Sequence, residues 1–382
     1  MSMTPVTSAP TVHEGEGIDA RVSTVDTKNQ NYFALVWRRF RRSIPGMIGL
    51  VLVSLLLIVS IFGEFVAPMD PNKPDISFAP PDQLSFFTKD SFTLWPVVYP
   101  VVESDELDPI TFQPLIGPDL DNPRPLALFV KGNPYRMWGL VPGDVHLFGV
   151  ADGTNLHFLG TDKLGRDILS RGVMGSRISL IIALTSITLI TIVGTLLGIT
   201  SGYLGGPFDL WFQRFVEIIL AFPQLPLYLA LTTLIPPTTA SPVFISFVIL
   251  VIAGLGWAQL SREVRGKTMA LARIEYVRAA MAVGASDGRI ITRHILPNVM
   301  SHVIVAVTLG IPSIVLLESF LGFLGFAVKP PLISWGLMLQ DAQTFSVLGS
   351  YPWILSPVGF VLLAVFAFNA LGDGLRDAID PY

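Results

Sequence analysis

The feature that most constrains this chain is the gathering of its apolar residues into long blocks without a single charge. Residues 44–63, 178–208, 218–261 and 342–372 contain no Asp, Glu, Lys or Arg. Each is long enough to cross the roughly 30 Å apolar layer of a bilayer, which takes about 20 helical residues. The third block is too long for one crossing and divides at Pro236-Pro237-Thr238-Thr239, where the prolines remove backbone donors. We read one span over 212–234 and another over 243–260. A fifth run, 299–317, is interrupted only by His302 and closes at Glu318. The sequence therefore predicts an all-α membrane protein with six transmembrane helices. Composition agrees: of 382 residues 51% are apolar and 14% charged, whereas soluble domains carry about 25% charge. That excludes a soluble enzyme. A net charge of −4 gives no basic field, so nucleic acid is not an expected partner.

Orientation follows from Lys and Arg in the short loops beside the spans. Arg38, Arg39, Arg41 and Arg42 precede the first span, and Arg262, Arg265, Lys267, Arg273, Arg278, Arg289 and Arg293 lie between the fourth and fifth. Both segments are expected in the cytoplasm, and an even number of spans puts both termini there. The first 30 residues are polar and Ser/Thr-rich, without the apolar core of a cleavable signal, and read as a disordered tail. Tyr32 to Arg42 reads either as an amphipathic helix on the inner membrane face or as a topology-setting charge cluster. Residues 67–160 change character, with 14 of the 30 prolines and 12 acidic residues against 5 basic ones. Too long for an unstructured connection, this insert is expected outside the membrane. Its aromatics are candidates for a small core, and the runs 126–130 and 145–150 suggest β-structure. The expected organisation is a cytoplasmic tail and interfacial helix (1–43), a first span (44–66), the insert and its loop (67–177), and a core of five further spans (178–382) holding a cytoplasmic loop at 261–297.

Motifs for chemistry fail on context. Arg265-Gly266-Lys267-Thr268 ends like a nucleotide-binding loop, but Ser261 occupies the position of its first glycine. Gly284-Ala285-Ser286-Asp287-Gly288 matches the pattern of a serine nucleophile elbow, yet it lies between helical segments rather than at a strand-to-helix turn. The five histidines show no metal-ligand spacing and there is no cysteine, so no metal site or bound cofactor is expected. Glu318 and, less so, His302 are the ionisable candidates in the fifth span, because charges at membrane depth are functional by default; Glu318 is the candidate for a translocation path, and at the end of a span an interfacial position is its blander reading.

The most informative stretch is Glu275-Tyr276-Val277-Arg278-Ala279-Ala280, followed by Gly284, Ala285, Ser286 and Arg289, then Arg293-His294-Ile295-Leu296-Pro297-Asn298. Small and apolar residues from Tyr276 to Val283 have helical spacing. Gly284 suits a left-handed helix stop, Ser286 a helix N-cap, and Pro297 the beginning of the fifth span. The small alanines let this surface approach a partner closely. Here the chain resembles the coupling loop of ABC-importer permeases, specifically the C-type subunit of the dipeptide/oligopeptide/nickel family. The general pattern E-A-A-x-x-x-G-x(9)-I-x-L-P, aligned on Gly284 and Pro297, places Arg278 at the Glu, Ala279 and Ala280 at the alanines, His294 at the Ile, and Leu296 at the Leu. Further family-like stretches are HFLGTD at 157–162 with Gly165-Arg166-Asp167, SGYLGG at 201–206, AFP at 221–223, FLGFLG at 320–325 and LGDGLRDAIDP at 371–381. Glu217 stands where the family more often has Asp, and the long insert is the clear departure.

The resemblance implies the type I importer permease fold and a bacterial inner-membrane location. It also implies a non-catalytic subunit that lines a solute path together with a homologous second permease. Cytosolic ABC ATPase subunits, one or two in kind, would bind ATP and Mg and receive the loop around Glu275, Tyr276, Arg278, Ala279, Ala280, Gly284, Ala285, Ser286, Arg289, His294, Leu296 and Pro297. An extracytoplasmic binding protein would deliver an oligopeptide or oligosaccharide. The rival reading, an ion-driven secondary transporter, needs a coupling carboxylate at the midplane, for which only Glu318 is placed.

Overall fold

The fold is that of a computed structural model, which describes residues 32–88, 92–107, 114–236, 239–326 and 328–379. The tail at 1–30, the break at Pro237 and Thr238, and Asp380-Pro381 fall outside the described residues. The chain opens with the amphipathic helix α1 (Tyr32–Phe40), whose Phe40 is buried beside Gly46 and Gly374 while Trp37 and the four arginines stay exposed. A short turn leads to α2 (Ile44–Ile61). The Ser43 hydroxyl accepts from Gly46 N at 3.2 Å, and Pro45 presets the first turn. One helical turn, α3 (Gly63–Val66), ends this part.

The insert is β-structured. Strands β1 (Gln83–Phe87), β2 (Phe92–Tyr99), β5 (Arg124–Met137) and β6 (Val141–Val150) form one antiparallel sheet in the order β1-β2-β5-β6. Strands β3 (Val101–Leu107) and β4 (Pro114–Pro118) form a separate hairpin. The two extended runs expected from sequence lie within β5 and β6 and pair with each other, Leu128 opposite Phe148. The expected aromatic core is not what holds the insert. Val98, Val150 and Leu156 form its centre with Leu126, Phe148 and Phe158, while Phe86, Phe87, Phe92, Trp95 and Phe129 are exposed. Alternation explains this, since each strand has one face toward the small core and one away from it.

Trp138, His146 and His157 help to seat the insert on the helices. The Trp138 ring lies 4.0 Å from the Arg177 guanidinium, and its Nε1 donates to Ile61 O at 3.0 Å. Arg177 in turn makes a two-pronged pair with Glu64 at 2.6 and 2.7 Å. His146 contacts Ala67 O at 2.6 Å, and His157 bridges Asp75 and Asp167 at 3.1 and 3.2 Å.

The remaining helices are α4 (Ile168–Leu204), α5 (Gly206–Ala221), α6 (Gln224–Thr232), α7 (Ser241–Leu271), α8 (Glu275–Ala282), α9 (Asp287–Ile290), α10 (Leu296–Phe323), α11 (Trp335–Met338), α12 (Phe345–Ser350) and α13 (Ser356–Ile379). Among the described residues five helical stretches have the length and apolarity of a membrane span, not six. The expected third span is instead α5 and α6, bent by 81°. Pro223 causes the break: it has no N–H to continue α5, and it pushes Phe222 into an extended conformation with ψ 136°. Counting the bent pair as a single crossing would restore six.

Other boundaries move for electrostatic reasons. The second span begins at Ile168, ten residues before the charge-free block, because Arg171 and Arg177 are admitted with partners: Arg177 pairs with Glu64, and Arg171 donates to Pro71 O and lies 3.4 Å from Asp162. The fourth runs on to Leu271, so the segment expected as loop from 261 is helix for its first three turns. The last, α13, starts at Ser356 inside the charge-free block, after the short turns of 335–355. The helices pack around one apolar core. Within it α4 runs against α7 along Gly194, Gly198 and Gly202, spaced four apart. A Cβ at Gly198 would stand 2.6 Å from Ser261 O, and one at Gly202 2.7 Å from Arg265 O. This is the small-residue packing by which membrane helices gain close contact.

Candidate functional site

The segment from Glu275 to Pro297 is two short helices around one left-handed residue. α8 ends where Gly284 takes φ +83°. Gly284 N donates to Met281 O at 3.0 Å and Ala285 N to Ala280 O at 3.1 Å, the paired bonds of a Schellman stop. Ser286 then occupies the N-cap position of α9 with ψ 152°, but its side chain makes no capping bond. Beyond α9 the chain passes through a π-helical turn (Ile291–Ile295) straight into α10. Pro297 accounts for the irregularity, having no N–H for the Arg293 carbonyl, which its ring crowds. Asn298 Nδ2 donates to His294 O at 2.6 Å and to the Tyr276 hydroxyl at 3.3 Å, and the His294 and Tyr276 rings lie 6.0 Å apart.

Burial divides the segment cleanly. Val277, Ile290 and Ile295 are fully buried in the helical core, and Ala285 packs half-buried against it. Glu275, Tyr276, Arg278, Ala279, Gly284, Ser286, Arg289 and Pro297 face outward, with Ala280, His294 and Leu296 half-buried between. Space for a Cβ at Gly284 is open, with no atom within 4 Å. The result is a shallow surface of small residues and arginines, clamped from beneath by three aliphatics. It holds no arrangement of nucleophile, base and acid.

Two family models match the chain. One, described as the binding-protein-dependent transport system inner membrane component, covers residues 194–382, and the other, the N-terminal TM domain of oligopeptide transport permease C, covers residues 31–81. The chain is 41% identical over 226 residues to the oligopeptide transport system permease protein OppC of Haemophilus influenzae, covering 59% of this chain and 70% of that one. It is 38% identical to OppC of Bacillus subtilis over 226 residues (59% and 72%) and 36% identical to the dipeptide transport system permease protein DppC of Bacillus subtilis over 225 residues (59% and 68%). This chain belongs to the binding-protein-dependent permease family. Residues 82–193, between the two matches, hold all six strands of the insert, which thereby stand apart from the permease models.

In this permease a cavity of about 760 Å³ lies among α4, α6, α7 and α10. Apolar side chains line most of it, with Gln224, Tyr228, Gln259, Glu263 and Ser313 as its polar groups. The sequence drew attention to none of these five, since isolated polar residues in apolar helices carry no motif. Glu263 lies 3.5 Å from His302 and accepts from Gln259 at 2.9 Å. Glu318 is not among the residues that line this cavity. It is completely buried near the end of α10, where Oε2 accepts from the Ser179 hydroxyl at 2.9 Å, and the same Ser179 oxygen accepts from Trp335 N at 3.2 Å. Glu318 and Ser179 thus join α10, α4 and the start of α11.

Proposed function

We propose that this chain is the C-type permease subunit of an ATP-driven ABC importer of peptides, seated in the bacterial inner membrane with both termini in the cytoplasm. Its partners are a homologous second permease, cytosolic ABC ATPase subunits that bind ATP and Mg, and an extracytoplasmic binding protein that delivers solute. The observation that carries this reading is the Glu275–Pro297 segment: an outward surface of small residues and arginines mounted on aliphatic anchors in the transmembrane core. A surface so mounted passes force from a docked ATPase into the helices without unfolding. The arginines before α2 and along this segment put both on the cytoplasmic side, and the acidic insert then faces the binding protein. Peptide is the favoured solute because the similar OppC and DppC proteins are named for oligopeptide and dipeptide transport.

The cavity among α4, α6, α7 and α10 is the half of the translocation path contributed by this subunit. Its mostly apolar wall holds solute weakly, as a path must when the binding protein supplies the affinity. ATP-driven closure of the ATPases then biases a two-state equilibrium of the spans. The ion-driven rival loses its candidate carboxylate, because Glu318 is bonded to Ser179 outside the cavity. The test is co-purification of the chain with its partners in proteoliposomes. Vanadate-sensitive ATPase activity, stimulated by loaded binding protein and absent from this chain alone, is expected; peptide uptake that persists without any ATPase subunit would contradict the reading.

A further inference from the structure

We propose that Tyr203 is a positioning residue that ties the coupling segment to α4, so that displacement of the segment is delivered to this helix first. The proposal rests on the docking reading above. Tyr203 lies in the last turn of α4, its ring packed half-buried against the helical core, and its hydroxyl donates to Asp287 Oδ1 at 2.7 Å. Asp287 opens α9, three residues past the left-handed Gly284, where the segment turns back toward the membrane.

The other end of α4 is equally fixed. Asp167 caps it by accepting from Ser170 N at 2.7 Å and at the same time holds His157, which also binds Asp75 at the base of the insert. A straight helix of 37 residues spans about 55 Å. One continuous helix therefore runs from the insert clasp to the coupling segment, packed along α7 through Gly194, Gly198 and Gly202. The route from the segment into α10 is softer. It passes through the π-helical turn, where Leu296 N reaches back five residues to Ile291 O and Pro297 contributes no hydrogen bond. A stiff link on one side and a compliant joint on the other direct motion toward α4. Because Asp287 is exposed, water competes for this bond, and its loss costs little fold stability. Its consequence is geometric.

The test uses the assembled transporter in nanodiscs. The chain has no cysteine, so when it is labelled before assembly with its partners, Leu196→Cys on α4 and Ala282→Cys on α8 take the only spin labels. With Tyr203 intact, the distance distribution between them is expected to stay narrow in both the nucleotide-free and the ATP–vanadate-trapped states. In Tyr203→Phe and in Asp287→Ala it broadens on trapping, and peptide uptake per ATP hydrolysed falls about fivefold or more, the lower end of coupling between distant sites. Asp287→Asn, whose amide oxygen still accepts the phenol proton, restores both readouts. A double variant Tyr203→Phe/Asp287→Ala is no worse than either single one, as shared loss of one bond requires. A wild-type distribution and ratio in Tyr203→Phe, beside a Gly284→Asp control that is uncoupled, would overturn the tether alone. A Gly284→Asp control that stays coupled would overturn the docking reading instead.

Discussion

His157 sits where three carboxylates converge. Its ring nitrogens reach Asp75 and Asp167, and its backbone N–H donates to Asp82 at 2.5 Å. Burial pushes the imidazole pKa down, but the Asp167 hydrogen bond and charge, with Asp75 behind them, outweigh this and leave it raised above 6.5. The same contact holds Asp75 below 3.8, against the effect of its own burial. The signs fix the pH window. A raised histidine pKa gives stability that is complete below 6.5 and is lost as pH climbs through the raised value; a lowered carboxylate pKa gives stability that is present above 3.8 and is lost as pH falls through the lowered value. Burial raises the third carboxyl, Asp82, above 3.8, which costs stability as pH climbs through that raised value, so the thermal midpoint of the purified permease is expected to fall on the alkaline side. His157→Gln should lower it by about 1–3 kcal/mol of stability and flatten the alkaline decline; an unchanged pH profile in a thermal-shift assay would remove the clasp. The family-like stretch HFLGTD marked this place in the sequence, but not its partners. Asp75 and Asp82 lie 82 and 75 residues earlier, and no local pattern connects separations of that size.

α4 shows what an apolar run reveals and what it hides. The charge-free block located the helix, yet its first ten residues read as loop because Arg171 and Arg177 count against hydropathy. Hydropathy registers a charge and not its partner, and here Glu64 and the carbonyls of Ser60 and Ile61 satisfy Arg177. The bent pair α5 and α6 was hidden for a different reason. Ala221-Phe222-Pro223 was visible as a family-like stretch, but a proline inside an apolar run marks either a kink or a break, and packing decides which. The glycine row at 194, 198 and 202 carries no signal in hydropathy, and only the packing shows it meeting α7. At Gly198 a side chain would meet both Ser261 O and Val264, at 2.6 and 2.8 Å. Gly198→Leu should therefore force α4 and α7 apart, with a loss of about 1–3 kcal/mol read as a lower thermal midpoint in detergent. Gly254→Leu, on an open face of α7 where a Cβ meets nothing within 4 Å, serves as the control. Equal effects at both positions would mean that the close approach does not organise the bundle.

Over the whole molecule, acids and arginines concentrate in different places. Acids collect in the insert, clasped onto the helices through Glu64, His146 and His157; arginines collect around α1 and the segment from Glu275 to Pro297. The segment was the most legible part of the chain because its determinants are local: alanines at helical spacing, a glycine that must be left-handed, a proline where the span begins. The insert was legible only as something built of strands, since its seating depends on contacts that cross the sequence. Local legibility also makes the docking reading open to a direct test. A Cβ at Gly284 points into open space within the chain, and Asp is one of the few residues that tolerate the left-handed region. A side chain placed there disturbs chiefly what docks on it. The decisive measurement is peptide uptake per ATP hydrolysed by the complete transporter carrying Gly284→Asp. Hydrolysis that continues with uptake reduced tenfold or more, of the order of 1.4 kcal/mol, is expected; uptake at the wild-type ratio would contradict the role of this segment as the coupling device.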